Sequence, residues 1–283
     1  MKNPTFPLLR SAQRGFTLVE LMVSLTIGMV IVLFVTAMYV SSHGSYRIID
    51  DNMRMQQDGR SVMHLIGRNL MQAEFGHLIA LEANAQPTDF SGQGLHGCDT
   101  GFANPGVFAA ATPAACAAAG SPAFEISYRV EDTVTTNIGA GTDCNGQTVP
   151  LNAAGHAVNR FYLATKSGET IQSLYCSGNG GAPQPLLGNV EVMRLTYGVD
   201  TDGNRSPDRF VNSAATVDGL SADWRGVISV GVCLEVSSPN NVTPSFQTYI
   251  DCSGASKTAT DRRLRTVLNS TFTLRNNAAA SNL

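Results

Sequence analysis

From Phe16 to Val40 the chain (FTLVELMVSLTIGMVIVLFVTAMYV) carries one charged residue, Glu20. Twenty-five residues of α-helix rise about 37 Å, enough to cross the hydrocarbon core of a bilayer. Beyond Val40 the apolar positions thin out but keep a helical spacing. Tyr46, Ile49, Met53, Met63, Ile66 and Leu70 recur at intervals compatible with one face, while Asp50, Arg54, Asp58 and Arg68 take other faces. One long helix is therefore expected, an apolar half over 16–40 and an amphipathic continuation over 41–80. Gly44, Gly59 and Gly67 weaken it and mark where it could bend or end.

From about residue 81 the composition shifts to Gly, Ala, Ser, Thr and Asn, and the period changes to two. Phe124, Ile126, Tyr128 and Val130 alternate with polar neighbours, as do Met193, Leu195, Tyr197 and Val199, then Ile228 to Val236, then Leu264 to Leu274. Arg160–Thr165 and Thr170–Cys176 are shorter candidates. Ala109 to Gly120 (AAATPAACAAAG) reads as a loop pinned by Cys116, and Ser237 to Ser245, with two prolines and two asparagines, as a turn-forming loop. The expected fold class is α+β: a long N-terminal helix, its first half membrane-spanning, ahead of a β-rich domain over 81–283; the family resemblance given below implies that the helix packs on an antiparallel sheet.

Ahead of the apolar run, residues 1–15 contain Lys2, Arg10 and Arg14 and no acid. The positive-inside rule puts this leader on the cytoplasmic side and the remainder outside. An ordinary signal peptide would need a small-residue cleavage site after its core, and Val35-Thr36-Ala37 is a weak one. A plain signal anchor accounts for the length of the run and leaves Glu20 unexplained. The stretch Arg14-Gly15-Phe16-Thr17-Leu18-Val19-Glu20 resembles the prepilin cleavage motif of type IV pilins and type II secretion pseudopilins. The resemblance implies a cut between Gly15 and Phe16 by a prepilin peptidase, N-methylation of Phe16, and a pairing of Glu20 with the α-amino group of a neighbouring subunit. An unpaired carboxylate in a membrane helix is costly, so the pairing turns a defect of the monomer into an assembly signal.

Two further stretches narrow the resemblance. Tyr197 to Asn204 (YGVDTDGN) is followed by Asp208, Arg209, Phe210 and Trp224, and Arg262-Arg263-Leu264-Arg265 precedes the terminal Thr271 to Asn276 (TFTLRN). With the N-terminal motif these resemble the PilW type of minor pilin. That family implies a subunit that primes and caps type IV pilus assembly at the tip and supports piliation and twitching motility. It also implies partners: other minor pilins, the major pilin, the inner-membrane assembly platform and a tip adhesin. The location would be the inner membrane, single-pass with the C-terminal domain in the periplasm, and then the pilus. A type II secretion pseudopilin of the J type shares the same helix and is the alternative. A tip-located module binding DNA or a surface is a reading of another class.

Charge and chemistry modify this picture further. Removing the leader takes three of the 19 basic side chains and leaves 16 against 22 acidic ones, a net charge of −6, a poor electrostatic footprint for nucleic acid. All six cysteines, Cys98, Cys116, Cys144, Cys176, Cys233 and Cys252, lie beyond the apolar run and none forms a C-x-x-C pair. In an exported chain they read as up to three disulfides rather than a zinc site, with fifteen connectivities open; the sequence-local one is 98–116, 144–176 and 233–252. Asp200, Asp202, Asn204 and Asp208 occupy alternating oxygen positions like the opening of a calcium loop. Arg205 at the sixth place and Val211 at the twelfth exclude an EF-hand. The competing reading is a turn whose side chains bond their own backbone. No cofactor is required. His43, His64, His77, His96 and His156 are scattered, and no G-x-S-x-G, H-E-x-x-H or P-loop occurs, so catalysis is not expected. Arg262, Arg263 and Arg265 suggest a small basic patch or a solvated strand edge.

Overall fold

The computed structural model describes residues 15–76, 90, 92–108, 113–130, 141–149, 155–221 and 223–276. The leader as far as Arg14, His77 and positions 109–112 of the alanine-rich loop lie outside the described residues. The chain divides into two units, Met1–Ile49 and Asp50–Leu283.

Helix α1 runs from Leu18 to Gln72. Through the first unit its side chains are exposed on every face save a half-buried Ile48, as expected of a segment apolar all round. In the second unit it becomes one-sided. Met55, Gly59, Val62, Met63, Ile66, Gly67, Asn69 and Leu70 are buried and the intervening positions are open. Neither Gly59 nor Gly67 bends or ends the helix. They are there because the sheet is close: a Cβ on Gly59 would run into the Leu268 side chain, and one on Gly67 into the Phe272 ring. Gly44 has open space around it.

The helix stops at Gln72, short of the expected residue 80. Glu74 takes a positive φ of 61°, a left-handed turn of the kind that ends helices. Its N–H is then claimed by Ser127 O at 2.9 Å, and Phe75 O accepts from Arg129 N. The chain thus leaves the helix along the edge of a sheet. Asn276, the last residue of TFTLRN, closes the same helix end by donating its amide to Ala73 O and Met71 O.

Eleven strands are seen among the described residues. β1 (Leu95–Cys98), β2 (Ala123–Arg129), β3 (His156–Thr165), β4 (Gln172–Gly178) and β5 (Gln184–Leu187) form an antiparallel sheet in that order. A second antiparallel sheet has the order β11-β8-β6-β7, from β6 (Val190–Val199), β7 (Arg209–Val211), β8 (Val227–Asn241) and β11 (Arg263–Thr273). β9 (Thr248–Ile250) and β10 (Ser256–Thr258) make a separate hairpin. Short helix α2 (Ala214–Asp218) and a 3-10 turn (Trp224–Gly226) join β7 to β8.

The second sheet realises the alternation read from sequence. Leu195 faces Val232 and Ser270 across three strands, and Tyr197 faces Val230 and Phe272. This is the face on which α1 lies. β8 extends further than expected, through Pro239 to Asn241, where a loop was anticipated. The register shifts between Arg263 and Arg265, a bulge that places Pro239, which has no N–H, outside the ladder. The Ser238 hydroxyl bridges the gap by accepting from Leu264 N and donating to Asn240 O.

Helix and first sheet meet through a buried amide. Asn159 on β3 donates to Asn69 Oδ1 at 2.8 Å and accepts from Cys144 N, while Asn69 donates to Leu65 O. Around it Phe124 stacks on Phe161, and Trp224 meets Tyr197 edge-on.

Two outcomes test this account. Gly67→Ala is expected to destabilise the protein by about 1–3 kcal/mol despite the better helix propensity of alanine, because the Phe272 ring cannot yield as the flexible Leu268 can. Gly44→Ala should leave the melting temperature unchanged or raise it, and equal effects at both positions would contradict the close seating. The second concerns Glu74, where burial pushes the carboxyl up to about 7 against donation from Gly94 N and the charge of Arg225. A carboxyl raised in the folded state holds its proton longer than in the unfolded one, so its contribution falls as the pH rises from 4.5 through 7. Denaturant melts of Glu74→Gln should show a gain on the order of 2 kcal/mol above pH 7 that shrinks towards nothing near pH 4.

Candidate functional site

The first site is the start of α1. Thr17 accepts the N–H of Glu20 on its side-chain oxygen at 3.2 Å, and its carbonyl takes the N–H of Leu21. Thr17-x-x-Glu20 is thus an N-cap with a glutamate at the third helical position, a capping-box spacing that was legible in the sequence. Helix N-termini favour negative charge, so the first turn is the least costly place for a carboxylate here. Within the apolar run Ser24, Thr26 and Thr36 donate their hydroxyls to the carbonyls of Leu21, Val23 and Val32, so their polarity is satisfied inside the helix. Glu20 differs: among the described residues nothing donates to its carboxylate. Gly15 and Phe16, at the expected cut, precede the helix and are exposed.

The second site is the loop between β6 and β7. Carboxylate oxygens of Asp200, Asp202 and Asp208 lie within 4.8 Å of one another. The turn reading accounts for their present partners. Asp200 accepts from Gly203 N and Arg205 N at 2.7 Å each and from Asp202 N at 3.2 Å. Asp208 accepts from Thr201 N and Thr201 Oγ1, Asp202 from Asn204 N, and Asn204 from Ser206 N. Burial alone would raise the Asp200 carboxyl, but the Arg205 and Gly203 donors outweigh it and hold it low; Thr201 does the same for Asp208. Lone pairs remain on the three carboxylates that a hard cation such as calcium could share.

The six cysteines pair as Cys98–Cys116, Cys144–Cys176 and Cys233–Cys252. Cys233 lies on the outer face of its strand as its alternation required, yet it is buried. The β9–β10 hairpin covers it. Glu235 beside it accepts from Cys252 N and Tyr249 Oη, with Lys257 at 3.8 Å. Arg265 forms no solvated edge. It is buried, paired with Glu191 at 2.9 Å and with Asp261 at 2.6 Å, and Arg263 also faces Asp261. Arg265 therefore ties β11 to β6 and to the turn at Asp261, while Arg262 stays exposed. Sequence alone could not show this, because Glu191 lies 74 residues from Arg265. His43 and His64 are exposed.

Because the loop carboxylates are already engaged by backbone donors, its order should not depend on a metal. Hydrogen exchange at Gly203 and Arg205 is expected to be the same in EDTA as in millimolar calcium, whereas strong added protection by calcium would make the cation part of the loop. On acidification the depressed Asp200 and Asp208 contribute fully above the ordinary value of 3.8 and are lost as the pH falls below it.

Comparison with known proteins bears on both ends of the chain. The family described as Type IV Pilus-assembly protein W matches residues 160–276, and the Prokaryotic N-terminal methylation motif matches residues 10–36. Among solved structures, a type IV-like pilin from Thermus thermophilus aligns with 80% of this chain and 97% of its own, at 14% identity and a TM-score of 0.41. No curated protein matches. The methylation motif brackets Gly15, Phe16 and Glu20, and the assembly-protein match runs from β3 to Asn276, so the chain joins a prepilin-type methylation motif to a domain of the PilW type.

Proposed function

We propose that this protein is a minor pilin that primes type IV pilus assembly at the filament tip. After cleavage between Gly15 and Phe16, the apolar part of α1 holds the subunit in the inner membrane with the C-terminal domain in the periplasm. It then passes into a bundle with the corresponding helices of other minor pilins and the major pilin. Piliation and twitching motility follow from that step. The observation that carries the reading is the first turn of α1: one carboxylate, Glu20, unpartnered among the described residues, five residues into the mature chain and at the head of a helix apolar on all sides. The N-methylated α-amino group of a neighbouring subunit is the partner that fits it. The protein acts by assembly and not by catalysis.

Leaving one member of a buried ion pair alone costs about 3–5 kcal/mol. Glu20→Leu is therefore expected to insert in the membrane normally while its amount in sheared pili falls at least about tenfold. Normal recovery in pili would remove the pairing role. Mass spectrometry of the membrane-extracted protein should give methylated Phe16 as the N-terminus. A deletion that abolishes secretion and leaves piliation intact would instead favour the type II secretion alternative.

A further inference from the structure

The three disulfides differ in what surrounds their sulfurs. Cys144 and Cys176 are both buried, at 9% and 0% exposure, so a reagent has no line of attack. Cys233 is buried and Cys252 half-buried, and the Glu235 carboxylate sits against the Cys252 backbone, where it repels an incoming thiolate. The third pair is asymmetric: Cys98 is buried at 1% exposure on β1, while Cys116 is exposed. A ring nitrogen of His96, two residues before Cys98 on the same face of β1, lies with both sulfurs inside 4.8 Å. The imidazole packs edge-on against Trp224 at 5.3 Å, and its Nδ1 is buried without a hydrogen-bond partner among the described residues.

We propose that Cys98–Cys116 is a site of reversible thiol exchange for small thiols such as glutathione, with Cys116 as the point of attack and His96 as the group that receives the leaving sulfur. The external thiolate forms a bond to Cys116 Sγ. The Sγ–Sγ bond breaks and its electron pair passes to Cys98 Sγ, which takes a proton from the imidazolium form of His96 and leaves the ring neutral. Cys116 is then a mixed disulfide with the small thiol. In reverse, His96 takes the proton of the Cys98 thiol, the thiolate attacks Cys116, and the small thiolate leaves. No other oxidant or reductant is needed.

The neighbours of His96 define its pH response. Burial lowers its pKa below 6.5, opposed by Glu125 of β2, Asp218 of α2 and Asp223 ahead of the 3-10 turn, and reinforced by Arg160 of β3. The imidazole is neutral at pH 7 and becomes cationic on acidification, when it attracts thiolate and stabilises the leaving sulfur better.

The test is reduction of the full-length detergent-solubilised protein by glutathione, with differential alkylation and peptide mass spectrometry to follow each pair. Cys98–Cys116 is expected to open at least about tenfold faster than the other two, with glutathione trapped on Cys116 rather than Cys98. The rate per glutathione thiolate should rise as the pH falls below 6.5. In His96→Asn that rise should vanish, and His96→Gln serves if the first variant folds poorly, the Cys144–Cys176 rate reporting an intact fold. Simultaneous opening of all three pairs, glutathione on Cys98, or an unchanged pH profile in both variants would each overturn the proposal.

Discussion

The C-terminal domain rests on how near α1 comes to the β8–β11 side of the second sheet. A helix and a sheet ordinarily keep a full layer of side chains between them. Here Gly59 and Gly67 interrupt that layer on the helix, and Leu268 and Phe272 fill the two gaps from below. Two glycines cost the helix about 1 kcal/mol each in propensity, which the added contact must offset. The alternation along β11 follows from the same fit: every second residue from Leu264 to Phe272 faces the helix, and a one-residue slip would turn the ring away from its glycine. Asn276 then clamps the end of the helix to the end of the strand that packs against it.

With one face of the second sheet given to α1, the other needs its own cover, and side chains too small for a second core supply it. The hairpin of β9 and β10 is held by a disulfide and a carboxylate shared among Tyr249, Lys257 and the Cys252 amide. The first sheet follows the same rule. Its outer face carries buried Arg160, paired with Glu125, whose guanidinium donates to the carbonyls of Asn104, Pro105 and Val107 and lies over the rings of Phe102 and Phe108. A guanidinium can satisfy several carbonyls at once, so one residue orders the loop from Phe102 to Phe108.

What could be read from the sequence was whatever repeats locally. The helix and the strands at Phe124, Met193, Ile228 and Leu264 all declare themselves through spacing. The helix end did not, because Glu74 is turned by an N–H acceptor on Ser127 that lies fifty-three residues on. Nor did the roles of the interior glycines, since propensity speaks of the isolated helix and the reason for them is Phe272. Short β1, β7, β9 and β10 carry too few residues for a period to show. The arginines near 263 looked solvated because Glu191 is remote in sequence. At the acidic loop the residue types were plain and the engagement of each carboxylate by backbone N–H was not.

Glu20 brings the local and the collective arguments together. At the third position of a helix it completes a cap with Thr17, and it sits where the helix dipole welcomes a negative charge. Those terms explain how a monomer can carry the carboxylate without losing the helix. They do not neutralise it, and every hydroxyl in the run named above is satisfied by a carbonyl of its own helix, leaving no internal donor to share. A charge tolerated at the membrane interface but unmet in an apolar surrounding favours whatever environment supplies a cation at the same depth. Under the proposed cleavage, and for subunits aligned side by side with one offset along the axis, the α-amino group of Phe16 in a neighbour would be such a cation, and the helix that carries the charge would also carry its counterpart.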